Sequence, residues 1–245
     1  MVPTLIAVLS ALVLAAFPAF SQEGFRKDTI KTSAGNLEIT FIGHGSLMMS
    51  FGGKTVYVDP WSRLADYATL PKADLILITH EHGDHMDPKA LDQVRNAKTI
   101  ILLTQKCADQ VKGGTVMKNG DVRTELGIGV EAVPAYNLEH KRPDGRPFHP
   151  KGEGNGYVLT FAGTRVYVAG DTENTPEMKA LKGIDIAFLP MNLPYTMTPQ
   201  MAADAALAFR PHVLYPYHYG ETDPGILAGL LKDAKDIEVR IRSMK

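Results

Sequence analysis

The chain has 245 residues, 44% hydrophobic and 22% charged, with 26 Lys and Arg against 27 Asp and Glu. That length fits one domain with a sizeable core, and the composition excludes a disordered, collagen-like or polytopic membrane protein. A net charge of −1 argues against a broad basic surface for nucleic acid or anionic lipid, and a lone cysteine, Cys107, excludes a disulfide framework and every multi-cysteine zinc motif.

In chain order, residues 2–20 come first, an apolar run without a charge. It reads as part of a secretory signal peptide covering 1–21, with Ala19 and Ser21 as the small residues before Gln22. An uncleaved membrane anchor is the competing reading, which Pro18 and the small-residue end disfavour. The expected address is periplasmic or secreted, with no membrane contact after cleavage. No linker interrupts residues 22–245, which are expected to form one domain.

Strands are expected at Leu37–Ile42, Ser46–Phe51 and Thr55–Val58, joined through Gly43-His44-Gly45 and Gly52-Gly53. The run LILIT at Leu75–Thr79 reads as a short buried strand. A helix follows at Pro88–Arg95 with Asp87 as N-cap. Thr99–Leu103 is the next strand, Cys107 sits at a helix start, and Val122–Ala135 carries two strands. The pattern then returns: Gly156–Phe161, a glycine turn, and Arg165–Val168 echo the first hairpin, with Asp171 set against Asp59. Ile184–Leu189 mirrors Leu75–Thr79, and a helix at Thr198–Phe209 mirrors 88–95. A strand at Val213–Tyr217 ends at His218, before a helix near Pro224–Lys232. Two β-rich halves, each with helices, imply an α/β fold of four layers, an αββα sandwich.

Three of the eight histidines fall within six residues, in Thr79-His80-Glu81-His82-Gly83-Asp84-His85. Imidazole suits zinc and similar transition metals, and Asp adds a harder oxygen donor. His80 and His82, two apart, face the same way in extended backbone, and Gly83 lets Asp84 and His85 turn towards a second ion.

THEHGDH has the HxHxDH form, and the chain resembles the metallo-β-lactamase superfamily over about 37–220. IGHGSLMMSFGGKTVYVDP, GDT and PYTMTP are similar to the branch holding ascorbate-6-phosphate lactonase-like and N-acylphosphatidylethanolamine phospholipase D-like hydrolases. The resemblance implies two divalent metal ions, zinc by default with Mn or Fe open. His80, His82 and a third histidine would hold one ion. Asp84, His85 and His218 would hold the other, and Asp171 would bridge them. A water or hydroxide between the ions would be the nucleophile, with Asp84 able to accept its hydrogen bond.

The third histidine departs from the family pattern, because Asn137 stands where many relatives place it. His140 and His149 are the candidates. His149 is favoured, since Pro147 and Pro150 stiffen its backbone while Lys141 and Arg142 beside His140 would oppose a cation. Asn137 would then support a ligand or face substrate. His44 is expected near the site as a support or substrate contact, and Asp59 to brace the histidine loop through backbone amides. Tyr195 is a candidate donor to a developing oxyanion, with Asn192 and Met197 in the same substrate loop. Trp61 reads as packing or pocket wall. His212 and Cys107 read as structural, and Lys141, Arg142 and Arg146 as a solvated loop, with contact to an anionic substrate the less favoured reading. The expected function is hydrolysis of a small ester, lactone or phosphodiester, with a small molecule as the only partner. The alternative is a metal-binding or ligand-sensing protein with little turnover.

Overall fold

The computed structural model describes residues 24–245, so the expected signal segment lies outside the described residues. Two seven-stranded mixed sheets form the fold. The first runs in chain order through β1 (Lys27–Thr32), β2 (Gly35–Gly43), β3 (Ser46–Phe51), β4 (Lys54–Val58), β5 (Leu75–Leu77), β6 (Ile100–Leu103) and β7 (Thr115–Val116). The second contains β8 (Val122–Glu125), β9 (Ile128–Ala135), β10 (Gly154–Phe161), β11 (Thr164–Val168), β12 (Ile186–Pro190), β13 (Val213–Tyr217) and β14 (Glu238–Val239), again as neighbours in sequence order. Each sheet begins as an antiparallel meander and turns parallel after its central hairpin, at β4–β5 and at β11–β12. The expected repeat is this shared topology.

Alternation of side chains explains the layers. Val56, Val58, Leu75 and Leu77 join the core that also contains Val130, Leu159 and Val166 of the opposite sheet. Their neighbours Tyr57, Ile76 and Ile78 point the other way, onto Leu91 and Val94 of α1 (Pro88–Val94) and Cys107 of α2 (Gln105–Ala108). A strand covered on both faces needs apolar residues at every position, which is why LIL is unbroken. The second sheet is linked outward through α3 (Pro176–Lys179), α4 (Pro199–Phe209) and α5 (Pro224–Leu230), with Ala202, Ala206 and Phe209 buried. The result is the expected α/β sandwich of αββα layers. Among the described residues, no helix is long and apolar enough to cross a membrane.

Several boundaries differ from the sequence reading. β5 stops at Leu77 because Asp59 Oδ1 accepts the Thr79 amide at 2.8 Å, pulling it off the ladder. The helices end earlier than expected, at Val94 and Leu230. His218 lies one residue beyond β13 with φ +44°, so the alternation linking it to His212 ends there. Asp171 is not the positional counterpart of Asp59. Asp59 donates its amide to Leu77 O, and the equivalent bond in the second half runs from Ala169 to Phe188 O.

Candidate metal centre

The chemistry-bearing residues lie where chain leaves the strands. The 80–85 loop follows β5, Asp59 follows β4, Asp171 follows β11, and His218 follows β13. His44 occupies the β2–β3 turn with φ +49°, where its carbonyl accepts the His218 amide at 3.0 Å. His149 arrives from the loop between β9 and β10. Asn137 N donates to His149 O at 2.9 Å, closing the base of that loop.

Three overlapping donor groups result, two of which share Asp171 while the third joins His44, Asp84 and His218. In the first, His80 Nε2 lies 3.0 Å from His82 Nδ1 and 3.9 Å from Asp171 Oδ2, which is 3.3 Å from His149 Nε2. In the second, His85 Nε2 lies 3.1 Å from His218 Nε2 and 3.4 Å from Asp171 Oδ1, which is 3.6 Å from His218 Nε2. Asp84 Oδ2 stands 3.6 Å from His85 Nε2, 3.5 Å from His218 Nε2 and 3.1 Å from His44 Nε2. Nitrogen and oxygen donors about 2.1 Å from a tetrahedral ion are separated by roughly 3.4 Å. The observed separations bracket that value. Two buried atoms facing this space, His149 Nε2 and Asp171 Oδ1, have no hydrogen-bond partner among the described residues. The residues therefore fit a metal centre.

Support from behind fixes which ring nitrogens point inward. Fully buried Asp59 accepts the Thr79 hydroxyl at 2.6 Å, while its Oδ2 lies 2.8 Å from His85 Nδ1. Because the Thr79 proton goes to Asp59, Thr79 Oγ1 is free to accept from His80 Nδ1 at 3.0 Å. One carboxylate thus frees Nε2 of both His80 and His85 for a cation. Asn137 Oδ1 does the same for His149, lying 2.9 Å from its Nδ1 and accepting its amide at 2.7 Å. Asn137 Nδ2 in turn donates to Glu173 Oε1 at 3.0 Å and to Tyr195 O at 2.8 Å.

The electrostatics prepare a donor set. Burial, with His85 beside it, holds the His80 pKa well below the ordinary imidazole value, and burial beside His149 lowers that of His82. Burial raises the carboxyl pKa of Asp171, but His218, His85 and His149 outweigh it and keep the group ionised. For Asp84, burial is likewise overcome by His218 and His44. Burial alone would lower the His85 pKa, yet Asp171, Asp59 and Asp84 lift it to about 10. Excess negative charge converges on His85, the electrostatic demand a bound cation would meet.

Other expected residues divide. His140 turns away: its Nδ1 lies 2.8 Å from Glu173 Oε1. His212 is exposed beside Asp185, and Cys107 is buried with its thiol pushed up to about 11 by burial. Met197 is a core residue, not a substrate contact, because it packs under the second sheet. Glu81, the remaining acid of the loop, pairs with Lys106 at 3.3 Å. Tyr195 is half-exposed, its ring edge-on to Phe148 at 5.1 Å. Tyr195, Trp61, Asn192, His44 and Asp84 all line one open cleft of about 720 Å³ above the donors. Sequence reasoning missed Arg63 and Phe148 in this wall, although each lies within two residues of a noted residue. It also missed Glu173, whose buried carboxylate accepts the amides of Leu138, Glu139 and His140 and so shapes the loop carrying His149.

A sandwich of this topology with an HxHxDH loop at its strand ends defines a class of metal-binding domains. The chain belongs to the beta-lactamase superfamily domain family, whose model matches residues 38–218. A UPF0173 metal-dependent hydrolase of Thermococcus kodakarensis is 32% identical over 203 residues, spanning 77% of this chain and 87% of its own. One of Pelotomaculum thermopropionicum is 29% identical over 222 residues, spanning 84% and 97%. A solved structure from Parabacteroides distasonis, assigned as a metal-dependent hydrolase, is 53% identical with TM-score 0.87, covering 91% of this chain and 100% of that one. Igni18 of Ignicoccus hospitalis, described as a metallo hydrolase, is 26% identical with TM-score 0.70, covering 84% and 95%.

Proposed function

We propose that the protein is a metal-dependent hydrolase that holds two divalent ions, zinc by default, and cleaves a small ester, lactone or phosphodiester. The observation that carries this reading is the pair of donor groups sharing Asp171, one carboxylate oxygen directed to each. His80, His82 and His149 would hold the first ion, and Asp84, His85 and His218 the second. When bound, the cations supply the positive charge that acidifies a water between them and polarises the oxygen under attack.

The chain's own groups do the rest. Asp84, its carboxylate fixed by His44 at 3.1 Å, would accept a hydrogen bond from an attacking water and orient it. Tyr195 presents its hydroxyl from the cleft wall to an oxygen gaining charge. Trp61 and Phe148 give the substrate apolar walls. The ligand-sensing alternative rested on the loss of a histidine at Asn137. With His149 among the first donors, that ground is weakened. Mn or Fe remains compatible with imidazole and carboxylate donors.

The test is metal analysis by plasma mass spectrometry on the wild type, His149→Ala and His140→Ala, with turnover of bis-p-nitrophenyl phosphate, a lactone and a β-lactam. Near two ions are expected in the wild type and His140→Ala, and one fewer in His149→Ala. Full metal in His149→Ala with loss in His140→Ala would sink the ligand assignment. A metal-loaded protein inert towards every scissile bond tested would sink the hydrolase reading.

A further inference from the structure

Once the donors and their supports are set aside, the charged side chains in the cleft wall are two arginines, Arg63 and Arg142. Among the described residues neither has a carboxylate partner within ion-pair distance. Arg146, four residues on in the same loop as Arg142, pairs with Asp144 at 2.7 Å, as Arg210 pairs with Asp236 elsewhere on the surface.

Both guanidinium groups lie over aromatic rings of the same wall. Arg63 lies 5.6 Å from the Trp61 centroid, and Arg142 lies 5.2 Å from that of Phe148. A cation–ring contact restrains the side chain and leaves N–H donors for a ligand, with less rotamer entropy to lose on binding. Arg142 spends only one long bond, from Nη2 to Phe148 O at 3.4 Å.

The backbones beneath are fixed as well. Trp61 N donates to the Tyr67 hydroxyl at 3.0 Å, and Ser62 N donates to Asp87 Oδ2 at 2.7 Å, so the turn presenting Arg63 is tied at two points. Arg142 N donates to Arg146 O at 2.7 Å, and Lys141 bridges Pro147, closing a small hairpin around Arg142. Two exposed guanidinium groups without a carboxylate partner, facing one cleft, offer paired N–H donors to an anion bound there.

We infer that the substrate carries an anionic oxygen group, a carboxylate or a phosphate remote from the bond cleaved, and that Arg63 and Arg142 bind it. The guanidinium fork matches both groups through paired N–H donors. This rests on the hydrolase reading, and it deepens that reading by fixing which small esters or lactones are taken.

The experiment compares matched substrates that differ only in the remote group. One pair is p-nitrophenyl valerate and p-nitrophenyl hydrogen glutarate; the other is gluconolactone and its phosphorylated form. Each is assayed with metal-loaded wild type, Arg63→Gln, Arg142→Gln and the double variant. The wild type is expected to favour the anionic member of at least one pair in kcat/KM by roughly tenfold or more, the worth of one charged hydrogen bond. The pair that shows it separates carboxylate from phosphate. Each single variant should shrink the preference at full metal content, and the double variant should abolish it. No preference in the wild type, or the same preference in the double variant, overturns the inference. If no member of either pair is turned over, calorimetric binding of glutarate and inorganic phosphate decides. Binding lost in the double variant upholds the arginine site while the hydrolase reading falls. Equal binding in both proteins overturns the site itself.

Discussion

Gly45→Ala should damage the metal centre from a position that contributes no ligand. Gly45 sits buried in the β2–β3 turn, and its φ lies outside the left-handed region, so the backbone admits alanine. A Cβ there would lie 2.9 Å from His85 Cε1, 3.2 Å from His85 Nδ1 and 3.4 Å from His218 Cδ2. Carbon atoms settle at about 3.5 Å or beyond, so the 2.9 Å contact must open by about 0.6 Å. The His85 ring cannot simply slide back, because its Nδ1 is 2.8 Å from buried Asp59. Ligand distances tolerate about ±0.2 Å, a third of the required shift. The expected result is at least a tenfold weaker affinity for the more labile ion, with an overpacking cost of about 1–3 kcal/mol in the metal-free protein. Competition with a chromogenic chelator measures the first, and thermal unfolding of the chelated protein the second. Gly53→Ala is the control: its φ of +74° costs about 1 kcal/mol in backbone strain, yet an added Cβ meets nothing within 4 Å. If Gly45→Ala keeps full stoichiometry and affinity, or if Gly53→Ala loses metal equally, the packing argument is wrong.

Asp59→Asn should weaken metal binding about 10- to 100-fold, since the amide places a donor where the carboxylate accepts from Thr79 and lies against His85; unchanged chelator competition would refute this. Asp28→Asn should cost about 1–3 kcal/mol at neutral pH, because Asp28 accepts from Arg242 Nη2 at 2.6 Å and from the Tyr215 hydroxyl. Burial raises the Asp28 pKa, but Arg242 and Tyr215 outweigh it and leave the value lowered. That contribution is therefore complete above the unfolded carboxylate value of about 3.9 and is lost as pH falls through the lower folded one. The stability gap between wild type and variant, read from urea unfolding, should close at acid pH; a gap independent of pH would contradict it. Finally, the chain exported by a bacterial host should begin at Gln22, and an intact mass retaining residues 1–21 would restore the anchor reading.

Legibility followed the range of the interaction. Alternation and glycine turns located the hairpins because those signals are local, and the LIL run showed burial on both faces for the same reason. The strand β1, sequence KDTIKT, was missed because its polar surface gives little pattern; it is held by pairing with β2 and by Asp28 reaching Arg242. β14, at two residues, is too short to leave a signal. The clustered histidines announced a metal, since four donors in one short loop have few other uses. His149 could be singled out through its flanking prolines. Glu173 could not, because its five acceptor contacts come from residues 33 to 36 positions earlier, on another loop. The need for glycine at 45 is equally silent in sequence, being set by His85 and His218 from distant segments.

The two halves also explain how aspartates of similar setting brace a histidine in one half and join the donor groups in the other. Register places Val58 opposite Leu77 and Val168 opposite Phe188, so Asp59 and Ala169 are the first residues beyond equivalent strand ends. An aspartate at that point turns back under the sheet edge and is consumed by Thr79 and His85, as Asp59 is. It cannot also face the cleft. The second half delivers its carboxylate two residues later, past Gly170 with φ +67°, where a Cβ would strike Asn155 O at 2.9 Å. The glycine lets the backbone pass and turn, which carries Asp171 beyond the sheet edge and between the two donor groups. The same logic accounts for Asn137. Its Oδ1 sets the His149 tautomer that leaves Nε2 facing the donor group, and an asparagine does this without a further carboxylate beside Asp171 and Glu173.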